Sequence, residues 1–114
     1  MDNPLDGRRI DIGRAAERLA ARFLERRGIE IVERNLRLPG GEIDLVVNCH
    51  GRAAAIEVRS LTHANPIEAI DRAKVRHVRE LARTLGVFRV DLIAVRFMPR
   101  ETRIHWIPDV NDWT

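Results

Sequence analysis

A mixed α/β domain, with a mixed sheet flanked by helices in the order α-β-β-β-α-β-β, is the fold class this sequence predicts, and three observations predict it. Two stretches carry apolar residues at helical spacing, and each ends on a glycine. Five short runs beside them have the alternation or β-branched content of strands. Turn residues separate those runs, most clearly at Pro39-Gly40-Gly41. The length of 114 residues matches one domain over 1–114, with residues 1–11 expected as a flexible start and 108–114 as a tail. A hydrophobic content of 45% can build one core, but not two.

The first helix is expected over Ile12 to Arg27, where Ile12, Ala16, Leu19, Ala20, Phe23 and Leu24 form an apolar stripe. Asp11 is placed to cap it and Gly28 to stop it. Strands follow at Ile29 to Leu36, Glu42 to Asn48 and Ala53 to Ser60, close enough together for an antiparallel meander. Asn65, Pro66 and Glu68 have the spacing of an N-cap, a first helical turn and a capping box, so a second helix is expected from there to about Leu85, stopped by Gly86. The run Val90-Asp91-Leu92-Ile93-Ala94-Val95, within Phe88 to Phe97, suits a strand buried on both faces. Arg103 to Ile107 makes a last strand, with Trp113 available to dock the tail.

Lys and Arg number 20 against 17 Asp and Glu, a net charge of +3 that permits an anionic partner without requiring one. Lys74 is the sole lysine, and the other basic residues are all arginine. Arginine's planar fork suits phosphate, but arginine-biased codon usage gives the same count. Read along the chain, the arginines look scattered, which favours the second explanation. The single Cys49 excludes a disulfide framework and a cysteine-rich zinc site. Met1 to Ile12 lacks the apolar core of a secretory signal, and no run nears the roughly 20 apolar residues of a membrane helix. A cytoplasmic protein without a membrane partner is the expectation.

Strand alternation places Glu42 and Asp44 on one face, opposite Ile43, Leu45 and Val47, and places Glu57 with Arg59, opposite Ile56 and Val58. If these strands form a hairpin, Asp44 and Glu57 converge. Mg²⁺ or Mn²⁺ needs a few such oxygens, with water and substrate phosphate completing the shell, and Arg59 could stabilise developing negative charge beside them. On alternation alone, solvated carboxylates are the commoner arrangement. Glu17 falls at the edge of the first helix's stripe. On the second helix the stripe is Ile67, Ile70, Val78, Leu81 and Leu85, and Lys74 lies within that arc. Two readings of Lys74 compete. Its stem can pack on the core edge while the amine reaches water, the commoner behaviour, or the amine can reach the acidic site. Cys49-His50 lacks zinc-ligand spacing, and His63 and His105 are isolated. His77 and Trp106 fit packing roles better than ligand or base-stacking roles.

The blocks Gly13-Arg14-Ala15-Ala16-Glu17, Arg34-Asn35, Gly40-Gly41-Glu42-Ile43-Asp44-Leu45 and Ile56-Glu57-Val58-Arg59-Ser60 resemble the bacterial YraN-like family. The pattern also resembles archaeal Holliday-junction resolvases, with a helical Glu, then Asp, then Glu-x-Lys. The resemblance covers about Gly13 to Ile107 and implies a restriction-endonuclease-like fold. It further implies that Glu17, Asp44 and Glu57 are metal-site acids, with the Val58 carbonyl as a backbone ligand; Glu42, on the strand face of Asp44, is the added candidate to support the metal or its water. One departure matters: the family's Glu-x-Lys is Glu57-Val58-Arg59 here, and arginine stays protonated and cannot act as a base. If Lys74 reaches the site, it is a lysine displaced onto the helix that fills this gap.

Three functions are then expected to compete. The first is a Mg²⁺- or Mn²⁺-dependent endonuclease acting on DNA, including branched DNA. The second is a nucleic-acid-binding module of the same fold that cleaves weakly or not at all. The third is an adaptor that self-associates, as a homodimer, through a sheet edge and the tryptophan-containing tail.

Overall fold

Residues 4–61 and 70–110 are described by the structure, a computed structural model, with side chains from residue 12 onward. The expected cap at Asn65, Pro66 and Glu68, together with His63, Ile67 and Trp113, lies outside the described residues. The element order is α1 (Pro4–Arg26), β1 (Glu30–Leu38), β2 (Gly41–Cys49), β3 (Arg52–Leu61), α2 (Arg72–Arg83), β4 (Val90–Phe97) and β5 (Thr102–Ile107), which is the order read from the sequence.

Helix α1 starts earlier than Ile12, so Asp11 is an interior helical position and not its cap. Pro4 suits that first turn, because its missing N–H is one the helix could not pair anyway. Gly28 (φ 76°) ends the helix as expected, in a conformation costly for other residues. The Gly28 and Ile29 amides donate to the Glu25 and Leu24 carbonyls at 3.0 and 3.1 Å, and Ile29 and Leu24 pack in the same core. Helix α2 begins at Arg72, because Asp71 is its cap: the extended Asp71 accepts from the amides of Ala73 (3.0 Å) and Lys74 (3.2 Å). The start of α2 is therefore at Arg72, later than the sequence suggested.

The five strands form one sheet in sequence order, antiparallel except for β3 beside β4. Cores lie on both faces. Ala16, Ala20, Ala21 and Leu24 of α1 cover one, where the small alanines allow close approach, and Val75, Val78, Leu81 and Ala82 of α2 cover the other. Strand β4, between these layers, is buried on both faces as expected. The tail docks through Val110, which is fully buried in the α2-side core.

One irregularity builds the site. Perfect alternation would put Ile43, Leu45 and Val47 on one face, yet Ile43 packs with α2 while Leu45 and Val47 pack with α1. The crossing falls between the pairs Arg34–Leu45 and Leu36–Ile43, where β1 has Asn35 at φ 51° and β2 has Asp44. Beyond that point Leu36, Leu38 and Ile43 turn onto α2. The β2–β3 ladder stops at Leu45–Ile56, one step short of Asp44 opposite Glu57. The sheet forks there.

Candidate functional site

At the fork, Asp44 replaces the missing ladder bond with its side chain: Oδ2 accepts the Val58 amide at 2.9 Å. This aims the carboxylate across the gap toward β3 and separates it from Glu42, with which alternation had grouped it. Glu57 follows the regular pleat of β3 toward α2 and is 3% exposed. The Lys74 amine lies 3.2 Å from Glu57 Oε1. Glu57 is thus a nearly dry acid with a cation beside it, and the Lys74 side chain remains half exposed toward solvent.

Glu17 arrives from the opposite layer. The buried arc of α1 runs through Ala16, Ala20, Leu24 and Ala21, which at 100° per residue puts Glu17 inside that arc rather than at its edge. Ile12, expected in the stripe, is instead 42% exposed. Glu17 Oε2 accepts from Asn35 Nδ2 at 3.1 Å. Asn35 is a positioning residue that sequence reasoning missed. Its signal was the residue type, since asparagine tolerates the left-handed conformation the crossing requires. Glu17, Asp44, Glu57, Val58, Arg59 and Lys74 all line one recess of about 300 Å³, with Gly13 and Ser60 at its edge. Glu42 is exposed outside that lining and acts on Glu17 and Asp44 through its charge. Trp106 and His77 are structural: the Trp106 indole donates to Asp91 at 2.8 Å, and the His77 ring lies against Gly41.

Burial governs the electrostatics. It pushes the Glu57 carboxyl up to about 7, with the Asp44 charge adding to the rise and Lys74 and Arg59 opposing it. Burial also raises Asp44, against the pull of the Val58 amide and Lys74. Glu17 is raised by burial and then by the charges of Asp44 and Glu42, with Arg14 opposing. Three acids that resist ionising together form a pocket that one more cation would relieve.

Among the described residues, no three His, Cys, Asp or Glu side chains are gathered as a complete metal cage. Two convergent carboxylates nevertheless fit Mg²⁺ or Mn²⁺, since Mg²⁺ usually keeps several waters and takes one or two carboxylates plus phosphate oxygens. All the donors are oxygens, which argues against zinc.

No helix among the described residues is long and apolar enough to cross a membrane. Residues 16–95 match a family described as Uncharacterised protein family UPF0102. The chain is 46% identical to a UPF0102 protein of Renibacterium salmoninarum, over 76% of this chain and 83% of that one. It is 35% identical to one from Syntrophotalea carbinolica, over 92% and 97%, and 39% identical to one from Thermotoga neapolitana, over 72% and 84%. The fork, its acids and the sheet around them lie within the matched span, and the chain belongs to the UPF0102 family, the YraN-like family its sequence resembles.

Proposed function

We propose that this protein is a metal-dependent endonuclease of the restriction-endonuclease-like kind that acts on DNA, with branched or structured DNA as the favoured form. The observation that carries this reading is the fork, where half-buried Asp44 and buried Glu57 meet beside the Lys74 amine, 3.2 Å from Glu57. Asp44 and Glu57 would hold Mg²⁺ or Mn²⁺ with the Val58 carbonyl, and Glu17 and Glu42 would support the ion or its waters. When bound, such an ion lowers the pKa of an attacking water and offsets charge on the phosphate.

The chain's own residues do the rest. Asn35 holds Glu17 toward the recess. Arg59 faces the phosphate and binds its oxygens through a planar fork. Lys74 supplies the compact ammonium that the strand lacks: it opposes the effect of burial on Glu57 and offers donors to a phosphate oxygen or to water.

The test is cleavage of linear, flapped and four-way DNA with Mn²⁺. Wild type is expected to cut, and Asp44→Asn to lose at least 100-fold, the scale of removing a charge-stabilising group. Lys74→Ala should fall similarly, while Arg59→Lys should retain or raise activity. No cleavage by wild type or Arg59→Lys would overturn the enzyme reading. The second reading, a binding module that cleaves poorly, is favoured by Arg59 itself and predicts salt-sensitive DNA binding indifferent to metal. Self-association would add a second copy along the β1 or β5 edge, which sizing under the same conditions reads out.

A further inference from the structure

From Ile12 to Arg27, helix α1 and the residue that follows it carry five arginines against two glutamates, an excess equal to the net charge of the whole chain. Arg14, Arg18, Arg22 and Arg26 are four residues apart, so they form one row with a rise of about 6 Å per step. Read along the chain these residues look scattered, but on the helix they are neighbours. All four are exposed, and no ion pair among the described residues takes up their charge. Glu25, the acid nearest the row's middle, is engaged by Arg34 of β1 at 3.4 Å. An ordinary solvated helix face alternates signs at this spacing, because like charges four apart repel. Here each arginine's neighbour four residues along is another arginine, and the row's two flanking acids, Glu17 and Glu25, leave a net positive face.

The row also leads somewhere. Arg14 and Arg18 line a shallow recess with Glu17 and Asn35, Arg18 and Arg22 line a second with Arg34, and Arg22 and Arg26 line a third. Each recess shares an arginine with the next, and the first shares Glu17 with the recess of Asp44 and Glu57. We propose that this arginine row is the track on which one phosphodiester strand of a DNA duplex docks and is led to the acidic fork. The proposal rests on the reading of that fork as a phosphodiesterase site, and it assigns the face of the protein that holds the substrate. The occupant follows from charge complementarity. Four cations spread over about 18 Å can face a few successive phosphates of one duplex strand, and arginine's fork pairs two-pronged with phosphate oxygens.

The test is fluorescence anisotropy of labelled 20-base-pair duplex and four-way DNA in EDTA, where nothing is cut. Arg18→Ala/Arg22→Ala should weaken binding at least tenfold and flatten the slope of log affinity against log salt by roughly two. Arg18→Lys/Arg22→Lys should keep the slope. Arg76→Ala/Arg83→Ala, which removes the same charge from α2, should change affinity less than threefold. Equal weakening by the two alanine pairs would mean diffuse attraction to net charge and would overturn the track. So would unchanged binding by the first pair, or no binding by wild type. The two readings fail separately: if wild type binds DNA through Arg18 and Arg22 but never cuts with Mn²⁺, the track stands and the nuclease reading falls.

Discussion

Glu57 holds its proton more tightly in the folded chain, at about 7, than the free side chain does at 4.5. Its contribution to stability is therefore complete below about pH 4.5 and is lost as pH rises through about 7, a swing on the order of 3 kcal/mol. Asp44 is raised as well and acts in the same direction. Glu57→Gln removes this penalty and should stabilise the metal-free protein at pH 8 by about 1–3 kcal/mol, with the gain shrinking toward pH 4.5. Urea denaturation at both pH values measures it, and parallel behaviour of variant and wild type would show that Glu57 is not under electrostatic strain. Mn²⁺ should raise the wild-type melting temperature at pH 8 and leave Glu57→Gln unmoved. Asp44 and Glu57 were both legible as candidates from strand alternation and family pattern. What alternation hid was how they meet: Asp44 reaches across the gap in the sheet to the Val58 amide, which no period of two describes.

At the scale of elements, the far half of the β1–β2 hairpin depends on one close approach. A Cβ at Gly41 would lie 2.6 Å from His77 Nε2 and 3.0 Å from a Leu81 methyl. Gly41→Ala must therefore displace the His77 ring and Leu81 or push the hairpin off α2, and should cost about 1–3 kcal/mol by denaturation. His77→Ala opens the space and should recover part of that loss in the double variant. Element order and the strands were readable because alternation and turn residues are local signals. The start of α2 was read too early because Asn65-Pro66-Glu68 has a cap's spacing in sequence, whereas the cap of α2 itself is Asp71, ahead of the packed Val75 and Val78. Lys74 reaching Glu57 was readable as a choice between two outcomes, since helical phase gives a direction and not a partner.

At the scale of the whole molecule, one buried carboxylate ties the later strands and the tail together. Asp91 is fully buried and accepts four hydrogen bonds: from Arg89 at 2.9 and 3.1 Å, from the Trp106 indole at 2.8 Å and from the Asp109 amide at 2.9 Å. The Arg89 carbonyl in turn takes the Ala55 amide at 2.9 Å. Strands β3, β4 and β5 and the tail around Val110 thus share one charged hub. Asp91→Ala leaves Arg89 and the indole without their acceptor and should cost about 3–5 kcal/mol, a large part of a typical domain's stability. Denaturation monitored by Trp fluorescence reads it, and a loss below about 1 kcal/mol would mean the hub is dispensable. In the sequence Asp91 was only a polar interruption in an apolar strand, because its partners come from residues up to 18 positions away.

At the fork, the Val58 amide is bound by a side chain that can change its charge, where a neighbouring strand would have offered a fixed carbonyl. That amide is consequently a resident reporter. Protonation of Asp44, or capture of its carboxylate by a cation, must register in the Val58 N–H before any substrate is present.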